Sequence, residues 1–213
     1  MNELAPLFCL TTDNSKYSHH EQVRTLLENG ARFVQLRTKL LSHHELLDQI
    51  NLAFQYVQEY GANLIINDYI EIAKHHSVSG VHLGNDDCSV VQARKQLGAN
   101  AIIGSTVHNL EDAIKVKKLG ICNYVGLGPF RKSRTKFDLD LILSEEMILE
   151  MLEVLSGIPV YLIGGIELSD CELVARYGLA GIAVCSALSE ANDCASSVNE
   201  FINQLSLEKR AVL

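Results

Sequence analysis

The feature that most constrains this chain is the regular alternation of short apolar segments with longer amphipathic segments along its whole length. Eight of the short segments have the composition of β-strands. They begin at Leu7, Phe33, Asn63, Gly80, Ala101, Asn123, Val160 and Gly181. This alternation is typical of βα units, which assemble parallel sheets. Because the spacing is even and no GxGxxG fingerprint is present, we expect a (β/α)8 TIM barrel rather than an open doubly wound sheet.

The segments between the strands carry the signals of helices. In the second of them, six apolar residues recur at the spacing of one helical face. They are Leu46, Leu47, Ile50, Ala53, Phe54 and Val57. Two S-x-x-E sequences have the form of a capping box and predict helix starts at Ser42 and at Ser169.

Length and composition favour a single TIM-barrel domain over residues 1–213. A chain of 213 residues can bury one sizeable core, and no Pro-, Ser- or Gly-rich stretch marks a linker. No apolar run approaches the ~18 residues that a membrane span needs. The polar start Met1-Asn2-Glu3 is unlike a signal peptide. We therefore expect a cytoplasmic protein that does not bind membranes.

Charge and cysteine content exclude further classes. A net charge of −8 argues against nucleic-acid partners, although a local basic pocket for anions is compatible with it. The six cysteines show no CxxC pair and no zinc-ligand spacing, so we expect buried structural thiols. The sequence is compatible with a homo-oligomer but does not determine the oligomeric state.

The second predicted strand carries polar groups on one face. Val34 and Leu36 are expected to face the helices, and Gln35, Arg37 and Lys39 share the opposite face at the carboxyl end of the strand. A guanidinium and an ammonium that converge there suit a phosphate-rich ligand. The alternative is a pair of solvated charges on the rim of the barrel.

Two carboxylates follow the next two predicted strands. Asp68 comes directly after the third strand, and Asp87 follows the fourth. One or two carboxylates, completed by substrate phosphate and water, form the oxygen-rich site that Mg²⁺ prefers. As the alternative, Asp68 is an ordinary helix N-cap, and Asp86 and Asp87 are ordinary turn residues.

The last strands also end in segments suited to anions. After the sixth strand, residues 126–136 contain hydroxyls and four cations, which fits either an anion-binding flap or a basic surface loop. The seventh strand is followed by Gly164 and Gly165, and the eighth by Cys185 and Ser186. A phosphate site after strands seven and eight recurs in TIM barrels, where glycine lets phosphate approach backbone N–H groups.

These residues occur in motifs that resemble those of a known family. Over nearly its whole length the sequence resembles the thiamine phosphate synthases, in seven ordered stretches at spacings that a barrel allows. The matching stretches are residues 34–39, 66–68, 80–87, 104–108, 124–129, 135–136 and 163–166.

The resemblance implies that the chain joins hydroxymethylpyrimidine diphosphate to hydroxyethylthiazole phosphate and releases pyrophosphate, with Mg²⁺ as cofactor. It further implies a role for each matching position. Gln35, Arg37, Lys39 and Asn67 would hold the pyrimidine diphosphate, Asp68 and Asp87 would bind Mg²⁺, and Thr106 would lie beside the reacting centre. Lys136 would contact the departing diphosphate, Ser133 and Thr135 would lie on the thiazole side, and Gly164, Gly165, Cys185 and Ser186 would bind the thiazole phosphate.

The chain departs from the family pattern in the segment after strand six. Lys132 and Ser133 stand where the family usually has Pro and Thr, so with Arg134 this segment is more basic. Asn85 stands where Gln is more common, and Thr106 replaces a frequent Ser.

The histidines favour structural interpretations. We expect His82 to point into the barrel as a hydrogen-bonded residue, and His108 to precede a helix capped by Asn109. The pairs His19-His20, His43-His44 and His75-His76 are expected to face solvent from helices.

Two rival functions remain open at this point. The thiazole tautomerase branch shares the barrel but has a catalytic His where this chain has Pro129, and the carboxylates of the metal site are retained here. A non-catalytic paralogue that binds thiazole or thiamine phosphate would lose the metal and diphosphate residues first, whereas Arg37, Asp68, Asp87 and Lys136 are all present.

Overall fold

The computed structural model describes residues 4–75, 78–84, 89–132 and 142–211, and it confirms the predicted barrel. The strands are all parallel, each pairs with the next in the sequence, and the last closes onto the first. They are β1 Leu7–Leu10, β2 Phe33–Leu36, β3 Asn63–Asn67, β4 Gly80–Leu83, β5 Ile102–Val107, β6 Tyr124–Leu127, β7 Val160–Ile163 and β8 Gly181–Val184.

Helices alternate with the strands and surround the barrel. The α-helices are α1 His19–Glu28, α2 His43–Glu59, α3 Ile70–His75, α4 Val90–Leu97, α5 Leu110–Leu119, α6 Glu145–Val154, α7 Glu172–Tyr177, α8 Ser186–Ser189 and α9 Cys194–Ala211, and a 3₁₀ turn spans Leu168–Cys171. No helix in the described part of the chain is both long and apolar enough to cross a membrane.

One of the two predicted helix starts is confirmed and the other is wrong. Ser42 caps α2 as expected, because its backbone N–H donates to Glu45 at 2.8 Å and its hydroxyl accepts from the backbone N–H of Glu45. Ser169 caps nothing and is exposed inside the 3₁₀ turn. That turn starts at Glu167, whose N–H donates to the buried carboxylate of Asp170 at 2.8 Å. A buried carboxylate that is fixed by tertiary contacts outweighs the local Ser-x-x-Glu pattern.

The core has one layer outside the barrel and one inside it. Val34 and Leu36 face the helices, as predicted, and pack with the buried face of α2. Inside the barrel, Phe8 stacks on Phe33 at 4.0 Å between ring centroids, and Tyr124 and Tyr161 pack around them. These rings come from the first or second residue of their strands, so they fill the amino-terminal half of the barrel. Side chains farther along the strands lie above this aromatic layer.

The described cysteines agree in part with the expected burial. Among them, Cys9 and Cys171 are buried, Cys122, Cys185 and Cys194 are half-buried, and none of these five forms a disulfide. Burial raises the pKa of the Cys122 thiol to about 11 and that of Cys171 to about 12. At neutral pH these two thiols are therefore protonated and poorly nucleophilic.

Candidate active site at the carboxyl ends of the strands

The cationic segment after β2 lies at the carboxyl end of the barrel. Gln35 is on the inner face of β2 and only 2 % exposed, Arg37 is half-buried, and Lys39 is exposed. The register pairs Leu36 with Ile66, which brings this segment alongside the end of β3. Arg37 and Lys39 thus follow the strand that pairs with β3, which ends at Asn67 and is followed by Asp68.

A network of side chains from β1 and α1 holds this segment, and the sequence did not indicate it. Asp13 accepts hydrogen bonds from Thr38 Oγ1 at 2.5 Å and from the backbone N–H of Lys39 at 2.8 Å. The Thr11 hydroxyl accepts from the backbone N–H of Arg37 at 3.1 Å. The sequence signal that could have identified Asp13 as a site residue is its position just past the carboxyl end of β1.

His19 completes this network, so the prediction that it faces solvent is wrong. Its side chain is buried, with Nδ1 at 2.7 Å from Thr11 Oγ1 and Nε2 at 3.1 Å from Asp13 Oδ1. His43 and His44, at the start of α2, are exposed as predicted. The first turn of α1 packs over the barrel mouth, where polar partners are available for a buried imidazole.

The end of β3 holds Asp68 in an unusual backbone conformation. Asn67 is buried, and Asp68 has a φ of +68°, in the left-handed region. The backbone N–H of Asp68 donates to the carbonyl of His82 on β4 at 2.9 Å, which ties it to the barrel. A left-handed conformation costs about 1–2 kcal/mol for a residue other than glycine, and such strain clusters at functional sites.

A buried hydrogen-bonded chain crosses the barrel interior just below the site. His82 Nδ1 lies 3.0 Å from the Tyr124 hydroxyl, and His82 Nε2 lies 2.9 Å from Thr106 Oγ1. The Tyr124 hydroxyl is also hydrogen-bonded to Gln35. Burial raises the pKa of the Tyr124 phenol well above its usual value, so this group is a neutral hydroxyl. His82 points into the barrel and is hydrogen-bonded, as predicted, and its partner Thr106 is a predicted site residue.

The segment after β6 packs onto the glycine turn after β7. The backbone N–H of Arg131 donates to the carbonyl of Gly164 at 2.9 Å, and its guanidinium donates to the carbonyl of Gly165 and to Asp170. Gly164 and Gly165 have φ values of +99° and +60°, and a Cβ on Gly165 would lie 2.8 Å from Arg131 Cβ. The close packing of Arg131 against this turn therefore requires glycine at position 165, apart from any need to admit phosphate.

Cys185 and Ser186 directly follow β8. Because Ile163 pairs with Ala183, the segments after β7 and β8 run side by side. The remaining predicted site residues, Asp87, Ser133, Thr135 and Lys136, lie outside the described residues. So do Asn85 and Asp86.

His108 takes the place that the sequence predicts for it. Asn109 caps α5, since its side chain accepts from the N–H of Asp112 at 2.9 Å, and His108 lies just before it. The ring of His108 is 2.5 Å from the carbonyl oxygen of Gly128. His108 therefore links β5 to the segment after β6.

A separate cavity of about 1390 Å³ lies at the opposite end of the barrel. It is bordered by the first residues of several strands, among them Asn63, Gly80, Ile102 and Val160. No predicted site residue that the structure describes lines it. Functional groups in this fold collect at the carboxyl ends of the strands, so the position of the polar groups, and not the size of a cavity, identifies the site.

Comparison with known proteins identifies relatives of this chain. A sequence profile described as thiamine monophosphate synthase matches residues 7–188. The chain belongs to the thiamine monophosphate synthase family. The matched residues include all eight strands, from the start of β1 at Leu7 to the end of β8 at Val184, and the start of α8 at Ser186.

Individual members of the thiamine monophosphate synthase family align over almost the entire chain. The thiamine-phosphate synthase of Phocaeicola vulgatus is 34 % identical over 198 residues, which cover 91 % of this chain and 95 % of that protein. The thiamine-phosphate synthase of Methanosarcina barkeri is 34 % identical and covers 96 % of this chain. The solved structure of thiamine phosphate pyrophosphorylase from Pyrococcus furiosus superposes with a TM-score of 0.85 at 29 % identity, covering 97 % of this chain and 98 % of that one.

Proposed function

We propose that this chain joins hydroxymethylpyrimidine diphosphate to hydroxyethylthiazole phosphate, giving thiamine phosphate and pyrophosphate. The observation that carries the proposal is the juxtaposition of Arg37 and Lys39 with Asn67 and Asp68 at the ends of two paired strands. Cations beside an amide and a carboxylate suit a diphosphate that is bound together with a metal ion. Family membership supports the same reaction.

The two substrates occupy opposite sides of the barrel mouth in this proposal. The pyrimidine diphosphate lies over β2 and β3, where Gln35, Arg37, Lys39 and Asn67 bind it. The thiazole phosphate lies over β7 and β8, where Gly164, Gly165, Cys185 and Ser186 bind it. Thr106 on β5 would lie between them. The family resemblance implies that Lys136 contacts the departing diphosphate and that Ser133 and Thr135 are on the thiazole side.

The donor set fits the magnesium ion that the family resemblance implies. Asp68 offers hard carboxylate oxygens at the site. Within the described ranges, no three His, Cys, Asp or Glu side chains are grouped closely enough to hold a metal ion. Mg²⁺ takes one or two carboxylates and completes its shell with phosphate and water. Asp68 and Asp87 would hold the ion, and its charge would help neutralise the leaving diphosphate.

The residues of this chain position the substrates and stabilise charge. Arg37 and Lys39 neutralise the diphosphate as its negative charge grows, which makes it a better leaving group. The electron-rich aminopyrimidine stabilises positive charge on its methylene carbon, so the bond to diphosphate breaks before the thiazole nitrogen attacks. No protein nucleophile is needed. The protein accelerates the reaction by holding the two substrates close together and excluding water.

An assay with both substrates tests the proposal. The full chain is incubated with both substrates and Mg²⁺, and thiamine phosphate is identified by mass. The matched variants are Arg37→Gln and Arg32→Gln, since Arg32 lies just before β2 and binds backbone carbonyls at the opposite end of the strand. We expect Arg37→Gln to lower kcat/KM by more than about tenfold and Arg32→Gln by less than about twofold. A wild-type chain that forms no thiamine phosphate contradicts the proposal and favours a non-catalytic paralogue or a tautomerase.

A further inference from the structure

Residues at the end of β1 and in α1 hold the backbone from which the two cations of β2 project. We propose that Asp13, Thr11 and His19 are positioning residues that fix Arg37 and Lys39 for the diphosphate. The inference rests on the proposed function for the identity of the ligand. It adds residues that contact neither substrate in that proposal.

The side chains of Thr11 and Asp13 replace backbone pairing beyond the end of β2. The last ladder bond joins the N–H of Thr11 to the carbonyl of Gln35 at 3.0 Å. After it, the N–H of Arg37 donates to the Thr11 hydroxyl, and that of Lys39 donates to Asp13 Oδ2. The backbone N–H groups of both cationic residues are therefore fixed by side chains of the neighbouring strand end.

His19 links Thr11 to Asp13. Its Nδ1 lies 2.7 Å from Thr11 Oγ1, and its Nε2 lies 3.1 Å from Asp13 Oδ1. Thr11, His19 and Asp13 therefore form one continuous chain of hydrogen bonds.

The network also extends forward along the segment that leads to α2. Thr38 donates to Asp13 and accepts from the backbone N–H groups of Leu40 at 3.2 Å and Leu41 at 3.1 Å. The whole segment 37–41 is thereby tied to Asp13. A segment held in this way loses little conformational freedom when an anion binds, which strengthens binding.

The charge of Asp13 makes the proposal sharply testable. Asp13 is an anion close to a site for an anion, so electrostatics alone predicts that Asp13→Asn tightens diphosphate binding. Positioning predicts the opposite, because the Asn amide cannot accept from the N–H of Lys39, Thr38 and His19 together. The direction of the change separates the two effects.

Calorimetric titration of the full chain with inorganic pyrophosphate in magnesium buffer makes the comparison. We expect Asp13→Asn to weaken pyrophosphate binding by about tenfold, which corresponds to about 1.4 kcal/mol. The same variant should raise KM for the pyrimidine diphosphate and leave KM for the thiazole phosphate within about twofold. Thr11→Val, which removes the acceptor for Arg37 without changing charge, should also weaken pyrophosphate binding.

Gln22→Ala is the matched control. Gln22 holds the same strand end, since its side chain bonds both the N–H and the carbonyl of Thr12 at 3.0 Å, and its hydrogen-bond partners, Thr12 and Tyr17, lie outside residues 37–41. Its pyrophosphate affinity should stay within about twofold of wild type despite a loss of stability. If Asp13→Asn and Thr11→Val bind pyrophosphate as tightly as wild type, the positioning role is wrong while the proposed function stands. If the wild-type chain binds no pyrophosphate and makes no thiamine phosphate, the proposed function fails, and this inference fails with it.

Discussion

Arg131 binds the carboxylate of Asp170 through both terminal nitrogens of its guanidinium, at 2.5 and 2.8 Å. The pair joins the segment after β6 to the turn after β7. The Asp170 side chain is 6 % exposed and that of Arg131 is 44 % exposed, so the anion is buried and the cation caps it from the surface. Asp170 also accepts from the N–H of Glu167 and thereby starts the 3₁₀ turn. The ion pair thus adds to the hydrogen bonds by which Arg131 holds the carbonyls of Gly164 and Gly165.

Removing Arg131 should destabilise the fold, because it leaves a buried carboxylate without its counter-ion. We expect Arg131→Met to lower the free energy of unfolding by about 1–3 kcal/mol, less than for a fully buried pair since the guanidinium is partly exposed. Urea unfolding of Arg131→Met, Asp170→Asn and the double variant measures the coupling. Arg176→Met, which breaks the exposed pair with Glu145, is the control and should cost less than about 1 kcal/mol. Equal losses for the two arginines would contradict the special role of Arg131.

The Tyr124 hydroxyl should matter for catalysis through His82 and Thr106. Tyr124→Phe leaves His82 Nδ1 and Gln35 without this buried partner, so we expect a loss of about 1–3 kcal/mol in stability and a lower kcat. Tyr161→Phe is the matched control, because Tyr161 is equally buried but its hydroxyl donates to the carbonyl of Ala5, before β1. It should lose stability with kcat unchanged. Parallel falls of kcat in both variants would show that general loosening of the barrel, and not the Thr106 chain, is responsible.

Gly165 should be far less tolerant of a side chain than another glycine in the same backbone conformation. Gly165 has a φ of +60° with Arg131 Cβ 2.8 Å from an added Cβ, whereas Gly61 has a φ of +57° with nothing within 4 Å. We expect Gly61→Ala to cost about 1 kcal/mol from strain alone. Gly165→Ala should cost more and raise KM for the thiazole phosphate, with KM for the pyrimidine diphosphate nearly unchanged. Steady-state kinetics with both substrates measures the two KM values. An equal rise in both would show that the proposed placement of the two substrates in the barrel mouth is wrong.

Stability should depend on pH through Asp13. Burial acts to raise the pKa of Asp13, but hydrogen bonds from Thr38, the N–H of Lys39 and His19 lower it below its ordinary value of 3.8. A depressed pKa means that the folded state favours the ionised form, so this contribution is complete above the ordinary value and is lost as the pH falls through the lowered one.

Urea unfolding at several pH values measures this contribution. The stability advantage of wild type over Asp13→Asn should be constant above about pH 5 and should shrink as the pH falls toward about 3. Gln22→Ala changes no titrating group, so its deficit relative to wild type should stay constant over the same range. An advantage of wild type over Asp13→Asn that does not change with pH would contradict this account.

Magnesium removal should abolish turnover. With EDTA we expect activity to vanish and to return with excess Mg²⁺, because the charge on the departing diphosphate needs neutralisation. Asp68→Asn should lower kcat strongly while the thermal unfolding midpoint stays close to that of wild type, since asparagine tolerates the left-handed backbone that Asp68 adopts. Full activity in EDTA would remove the metal from the mechanism.

The sequence by itself determined the barrel and the inner face of β2. Both follow from the local periodicity of the sequence. Eight strand-like segments at even spacing predict the barrel, and the alternation along β2 directs Val34 and Leu36 toward the helices and Gln35 into the barrel. Burial of one face leaves a repeating apolar signal that can be read residue by residue.

Only the tertiary structure decided which polar residues support the site. Asp13 reaches Lys39 across 26 positions of the sequence, and Arg131 reaches Asp170 across 39. His19 is buried because the segment after β1 supplies Thr11 and Asp13 as its polar partners. A single hydrogen bond between distant positions does not recur at a regular spacing, so it leaves no pattern in the sequence. Such a bond forms only when barrel closure brings the strand ends together.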